Sequence, residues 1–124
     1  MRPGGATSPA FVFLVSVTAA RELSVIVEIE CIANPLGTPT NPYEHVEAAI
    51  RVIEHSGLHY EVSALGTTLE GDPDDLWPLL RRVHEACLES GAASLLTVIK
   101  VEQARRDLPQ PTMAGLTGKF RQQP

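Results

Sequence analysis

The side chains in this 124-residue sequence best suited to acid–base, nucleophilic or metal chemistry are four histidines, two cysteines and a cluster of acids. Their spacing argues against most of that chemistry. His84 and Glu85 stand together in "RRVHEACLES", but a helical zinc site needs a second histidine four residues away, and none is there. No GxSxG, P-loop or GxGxxG occurs. His45, His55 and His84 read as solvated helix positions, while His59 opens an extended segment and is harder to place. Asp72, Asp74 and Asp75 surround Pro73, an arrangement that caps a helix rather than one that holds a metal. Cys31 and Cys87 are far apart and outside any CxxC or Cys/His spacing. Both read as small buried apolar residues in a reducing compartment, with neither a metal site nor a disulfide expected. Tyr43 and Trp77 read as edge packers whose rings are also shaped to stack on a ligand. No catalytic residue is expected.

A binding role has better material in "NPLGTPTNPYEHV", residues 34–46, where three prolines and a glycine fix one short connection. Read plainly, it is a stiff turn whose prolines lower the entropy of the unfolded chain. That reading leaves the adjacent Gly37 and Thr38 unexplained. A glycine lets backbone approach a ligand closely, and a neighbouring hydroxyl would make the loop a polar lip.

Composition narrows the partners. With 44% apolar residues, the chain has the makings of one domain with a small core. Ten basic against fifteen acidic side chains give a net charge of −5, with no Lys/Arg stripe to displace counterions from phosphates, so nucleic acid is not expected. The first twenty residues, "MRPGGATSPAFVFLVSVTAA", hold one Arg and an apolar run from Phe11 to Val17, only a weak likeness to a secretory signal and short of a membrane span. Residues 1–22 together read as an N-terminal extension, disordered or loosely docked, or as a start placed upstream of the domain. The domain proper is expected over 23–104, followed by a tail over 105–124 in which "MAGLTGKF" folds over a neighbour or frays. A cytoplasmic location without membrane contact follows.

The positioning elements are periodic. From Leu23 to Ile32 apolar residues recur every second position, as in a strand with one buried face. Asn41, Pro42 and Glu44 supply an N-cap, an N1 proline and a capping-box acid for a helix of about four turns. Its stripe is Val46, Ala49, Ile50 and Ile53, and "SGL" stops it. "LHYEVSAL" and "GTTLEG" predict a hairpin breaking between Ser63 and Gly66. Asp72 and Pro73 then open a second helix, with Leu76, Leu79, Leu80, Val83 and Cys87 inward and a stop at Ser90–Gly91. Alternation resumes from Ser94 to Glu102.

This order predicts an α+β fold of ferredoxin-like type: a βαββαβ two-layer sandwich with both helices on one face of a four-stranded antiparallel sheet. The other face has no cover within the chain. It would carry Ile26, Ile32, Leu96 and Val98 among Glu28, Glu30 and Lys100, too apolar to leave in water. A homo-oligomer through that face, a dimer or a homotetramer, is expected.

"PLGT" after the first strand, "YEVSALGTTLEGD" across the hairpin, "HEACLESGA" in the second helix and "IKVEQARRD" after the last strand together resemble the YkoF-like thiamine-binding protein family. The resemblance covers most of the chain from Leu23 onward. It implies a ferredoxin-like fold, dimers and tetramers, and binding of thiamine or its hydroxymethylpyrimidine moiety without known catalysis. A carrier or sensor role, with no cofactor or metal, is expected. Carried over by position, it marks Leu36, Gly37 and Thr38 in the first loop, Tyr60 in the second strand, and Thr67, Thr68 and Glu70 in the third as ligand-binding. Their chemistry suits an aminopyrimidine edge and a cationic thiazolium, although Thr67, Thr68 and Glu70 are also ordinary strand residues. Two alternatives stay open on the residues alone: a small oligomeric enzyme of isomerase or cofactor-free monooxygenase type, and a purely structural or regulatory oligomer.

Overall fold

A computed structural model describes residues 24–121, so the extension expected over 1–22 lies outside the described residues. Strands β1 (Val25–Asn34), β2 (His59–Ser63), β3 (Gly66–Gly71) and β4 (Ser94–Glu102) form one antiparallel sheet in the order β2-β3-β1-β4. Helices α1 (Glu44–Glu54) and α2 (Pro73–Ser90) are the two crossovers. The result is the ferredoxin-like sandwich that the strand and helix order predicts. A short helix, α3 (Met113–Thr117), and a 3₁₀ turn (Gly118–Phe120) follow in the tail.

Period two in β1 puts Val25, Val27 and Ile29 on the helix side, where each is at most 3% exposed. The helical period in α2 brings Leu76, Leu79, Leu80, Val83 and Cys87 down onto them, with Leu69 of β3 and Ile53 of α1 closing the cluster. Burying each of the larger side chains contributes about 1.5–3 kcal/mol. The start of α2 is as expected: the Asp72 carboxylate accepts the Asp74 N–H at 2.8 Å and Pro73 takes N1. Gly91 ends it at φ +134°, and a Cβ there would lie 2.9 Å from the His45 ring, so two constraints demand glycine.

Three expectations are corrected. Helix α1 is shorter than four turns, begins at Glu44 after Tyr43, and has no side-chain cap. Asn41 acts through its backbone instead: its carbonyl accepts the Glu44 N–H, and the Leu36 carbonyl accepts the His45 N–H at 3.0 Å. The loop itself is the cap, because the prolines hold its carbonyls over the orphan donors of the first helical turn.

The inward stripe of α1 is also turned. His45 is 3% exposed, its Nδ1 2.7 Å from the Ser90 hydroxyl, so it is a buried pin between the two helices and not a solvated position. Ala49 and Ile53 are buried with it, while Val46 and Ile50 remain partly open.

The open sheet face, third, is partly covered by the chain itself. The Met113 N–H donates to Glu70 Oε1 at 2.8 Å, Arg121 pairs with Glu61, and Met113 and Ile26, the cross-strand partner of Glu70, are both buried. The tail therefore shields the Ile26 end of the face and leaves Ile32, Leu96 and Val98 exposed at the other.

Candidate functional site

The site follows from unequal strand lengths. On one side β1 pairs with β4 from Ile26 to Asn34, but on the other it pairs with β3 only from Val25 to Ile29, where β3 begins at Gly66. Among the described residues, β1 has no strand neighbour on that side past Ile29. Its exposed edge leaves backbone N–H and C=O groups to be satisfied by water or a ligand.

This notch opens into a cavity of about 360 Å³, the low end of the range for small-molecule sites. Ile29 and Cys31 line its floor, and Ile50 and Ile53 of α1 its wall. The hairpin turn Ser63–Gly66 bounds one side, and Leu36 and Tyr43 of the first loop bound the other. The part of the α1 stripe that the core leaves uncovered, Val46 and Ile50, faces the cavity. The apolar walls suit a flat ring.

Polar groups are few. Thr67, 4% exposed, lines the cavity, and among the described residues its hydroxyl has no side-chain partner. A buried hydroxyl without a hydrogen bond is costly, so this one is suited to a ligand or a water. Glu30 is the only acidic residue among the lining residues described, and strand alternation puts its side chain on the open sheet face at the edge of the notch. No charged group of α1 lines the space.

Of the seven residues marked from the sequence, Leu36 and Thr67 meet in this cavity. Gly37 lies beside it, but its close approach is to its own chain: a Cβ would sit 2.3 Å from the Asn41 carbonyl oxygen. The Thr38 hydroxyl accepts the Asn41 N–H at 3.0 Å and so closes the loop. Tyr60 packs against the core from β2. Thr68 pairs with Glu28 and Glu61, which places it on the opposite sheet face, and Glu70 holds the tail there. The alternation of β3 splits Thr67 from Thr68, since neighbouring strand residues point to opposite faces.

The cysteines require another correction. Cys31 is only partly buried and lines the cavity, and it packs against the core cluster that holds Cys87. Alternation had put Cys31 on the helix side of β1 and the stripe had put Cys87 on the sheet side of α2, which was the available signal that they converge. The Thr97 hydroxyl donates to Cys31 Sγ at 3.9 Å and lies 2.6 Å from His84 Nδ1. His84 is thus a half-buried partner of β4 and not a solvated residue. The Cys87 thiol, joined by the Thr97 hydroxyl, pulls the Cys31 thiol down from 9.0 to about 7 against the opposing effects of burial and Glu30. Cys87, with no exposed surface, is pushed up by the same contact and by burial.

A family model described as thiamine-binding protein matches residues 27–119. A UPF0045 protein of Clostridium perfringens is 34% identical over 79 residues, 64% of this chain and 80% of that protein. The structure of a DUF77 domain from Bacillus cereus superposes with a TM-score of 0.69 at 32% identity, over 79% of this chain and 90% of the other. A Thermotoga maritima structure described as a candidate thiamine biosynthesis/salvage protein shares the fold, with a TM-score of 0.65 at 21% identity over 79% and 99% of the two chains.

Proposed function

The chain belongs to the thiamine-binding protein family, and on that premise we propose that it is a non-catalytic binder of thiamine or its hydroxymethylpyrimidine moiety, acting as carrier or sensor. The observation that carries this reading is the notch where β3 stops short of β1. An aminopyrimidine presents alternating donors and acceptors along one edge, the pattern that an unpaired strand edge offers in return. Ile50, Ile53 and Leu36 give its ring apolar walls, the Thr67 hydroxyl adds one directed hydrogen bond, and Glu30 balances a thiazolium cation. Two such chains pair through Ile32, Leu96 and Val98, whose exposures of 44, 62 and 39% support a covered face in the assembly. A cytoplasmic setting suits two free thiols.

Isothermal titration with thiamine, hydroxymethylpyrimidine and thiamine phosphate tests the reading, paired with thermal stabilisation by each. Saturable heat from the first two is expected. Thr67→Val keeps the side-chain volume and removes one hydrogen bond of about 1 kcal/mol, a roughly fivefold loss of affinity. The folded protein should tolerate that change, because no described partner is left unpaired. Absence of both heat and stabilisation at millimolar ligand overturns the proposal.

A further inference from the structure

We propose that Cys31 is a covalent modification site: its sulfur, on the cavity floor, attacks a low-molecular-weight disulfide entering the cavity and is converted to a mixed disulfide. The inference is independent of the ligand reading above, since it concerns the chemistry of the protein's own sulfur.

A hydroxyl donor and a neighbouring buried thiol surround that sulfur. Thr97 lies directly across from Cys31 in the β1–β4 register and donates its hydroxyl proton to Sγ. The same hydroxyl lies 2.6 Å from His84 Nδ1; with its one proton directed at Sγ, it accepts a ring Nδ1–H from the tautomer that carries one. Cys87 lies three residues beyond His84 on α2, in the core cluster against which Cys31 packs from the sheet side. The donor from β4 thus stabilises negative charge on a sulfur that the α2 side of the core holds in place.

If these polar groups only satisfied one another across a packed seam, none would need to reach open space. Cys31 does reach it, in a cavity that also holds the 4%-exposed Thr67 hydroxyl, which has no side-chain partner among the described residues. Helix α1 presents Val46, Ile50 and Ile53 there, and no Lys or Arg is among the described lining residues, so the thiolate is stabilised by hydrogen bonding and not by a cation. Glu30, on the same strand, is the one charged group that disfavours the thiolate, and its effect is outweighed.

The step balances within the two reactants. The Cys31 thiolate forms a new S–S bond to one sulfur of R–S–S–R, and the original S–S bond breaks. The second sulfur leaves as R–S⁻ and takes up the proton that Cys31 released. The protein sulfur is oxidised and the departing sulfur reduced. Cys87, held as the thiol by its neighbour and by burial, is not the attacking group.

The test is to treat the folded full-length chain with 2-hydroxyethyl disulfide, and separately with iodoacetamide, from pH 6 to 10. Intact mass and peptide mapping follow adduct formation. One adduct on Cys31, with Cys87 unmodified, is expected. The rate should rise with a midpoint near pH 7, in line with the thiol's lowered value. At pH 7 the thiolate fraction exceeds that of a thiol titrating at 9.0 by about fiftyfold, and an intrinsic nucleophilicity about eightfold lower leaves a net gain of about sixfold. Thr97→Val should raise the midpoint and slow modification at pH 7 severalfold. Labelling of Cys87 first, a midpoint near 9, or an unchanged rate in Thr97→Val would overturn the proposal. Site and midpoint are read on the unsubstituted protein, so they stand even if the variant does not fold.

Discussion

Gly37→Ala separates two uses of a glycine beside a binding cavity. The added Cβ would stand 2.3 Å from the Asn41 carbonyl oxygen, 2.5 Å from the Pro42 carbonyl carbon and 2.6 Å from the Glu44 nitrogen. All three are backbone atoms held by prolines and by the first turn of α1, so no side chain can swing aside. Relief requires the loop to lift, which breaks the Leu36 carbonyl bond to the His45 N–H at 3.0 Å and the Thr38 N–H bond to Asn41 at 2.9 Å. Two lost hydrogen bonds at about 1 kcal/mol each, plus partly relieved overpacking at about 1 kcal/mol, total on the order of 3 kcal/mol. For a domain of this size that corresponds to a fall in Tm of about 10 °C, readable by circular dichroism, with a matching shift of the urea midpoint. Ligand affinity should fall as well, because Leu36 on the cavity rim moves with the loop. If stability instead stays within about 0.5 kcal/mol of the parent and only affinity drops, the glycine serves ligand approach and the packing argument is refuted.

Two further changes probe the sheet's open face. Glu70→Ala removes the acceptor for the Met113 N–H and should cost about 1 kcal/mol while speeding amide exchange across residues 112–120; unchanged exchange there would mean the tail is held by its apolar contacts alone. Leu96→Asp places a charge on the exposed end of the face and should reduce the sedimenting mass to that of one chain with little change in Tm, whereas an assembly of unaltered mass would locate the pairing surface elsewhere. Ile26 is the wrong probe for that purpose, since the tail already buries it.

What the sequence determined by itself was set by near neighbours. Alternation in β1 and β4, the inward stripe of α2, the Asp72–Pro73 start and the glycine stops at Gly57 and Gly91 all act over one to four residues, and each element formed close to where they placed it. Tertiary structure decided whatever depends on residues distant in sequence. Asn41 was displaced as a cap by the Leu36 carbonyl, which reaches the helix only because the loop folds back. His45 became a buried pin because Ser90, at the far end of α2, lies against it. Cys31, Thr97 and Cys87 meet through the β1–β4 register and the packing of α2, which no spacing along the chain encodes. The cavity exists because β3 starts too late to pair with the last five residues of β1, Glu30 to Asn34, a matter of strand register. Register is fixed only when the whole apolar face finds its partners at once, so local periodicity reveals the strands but not the gap between them.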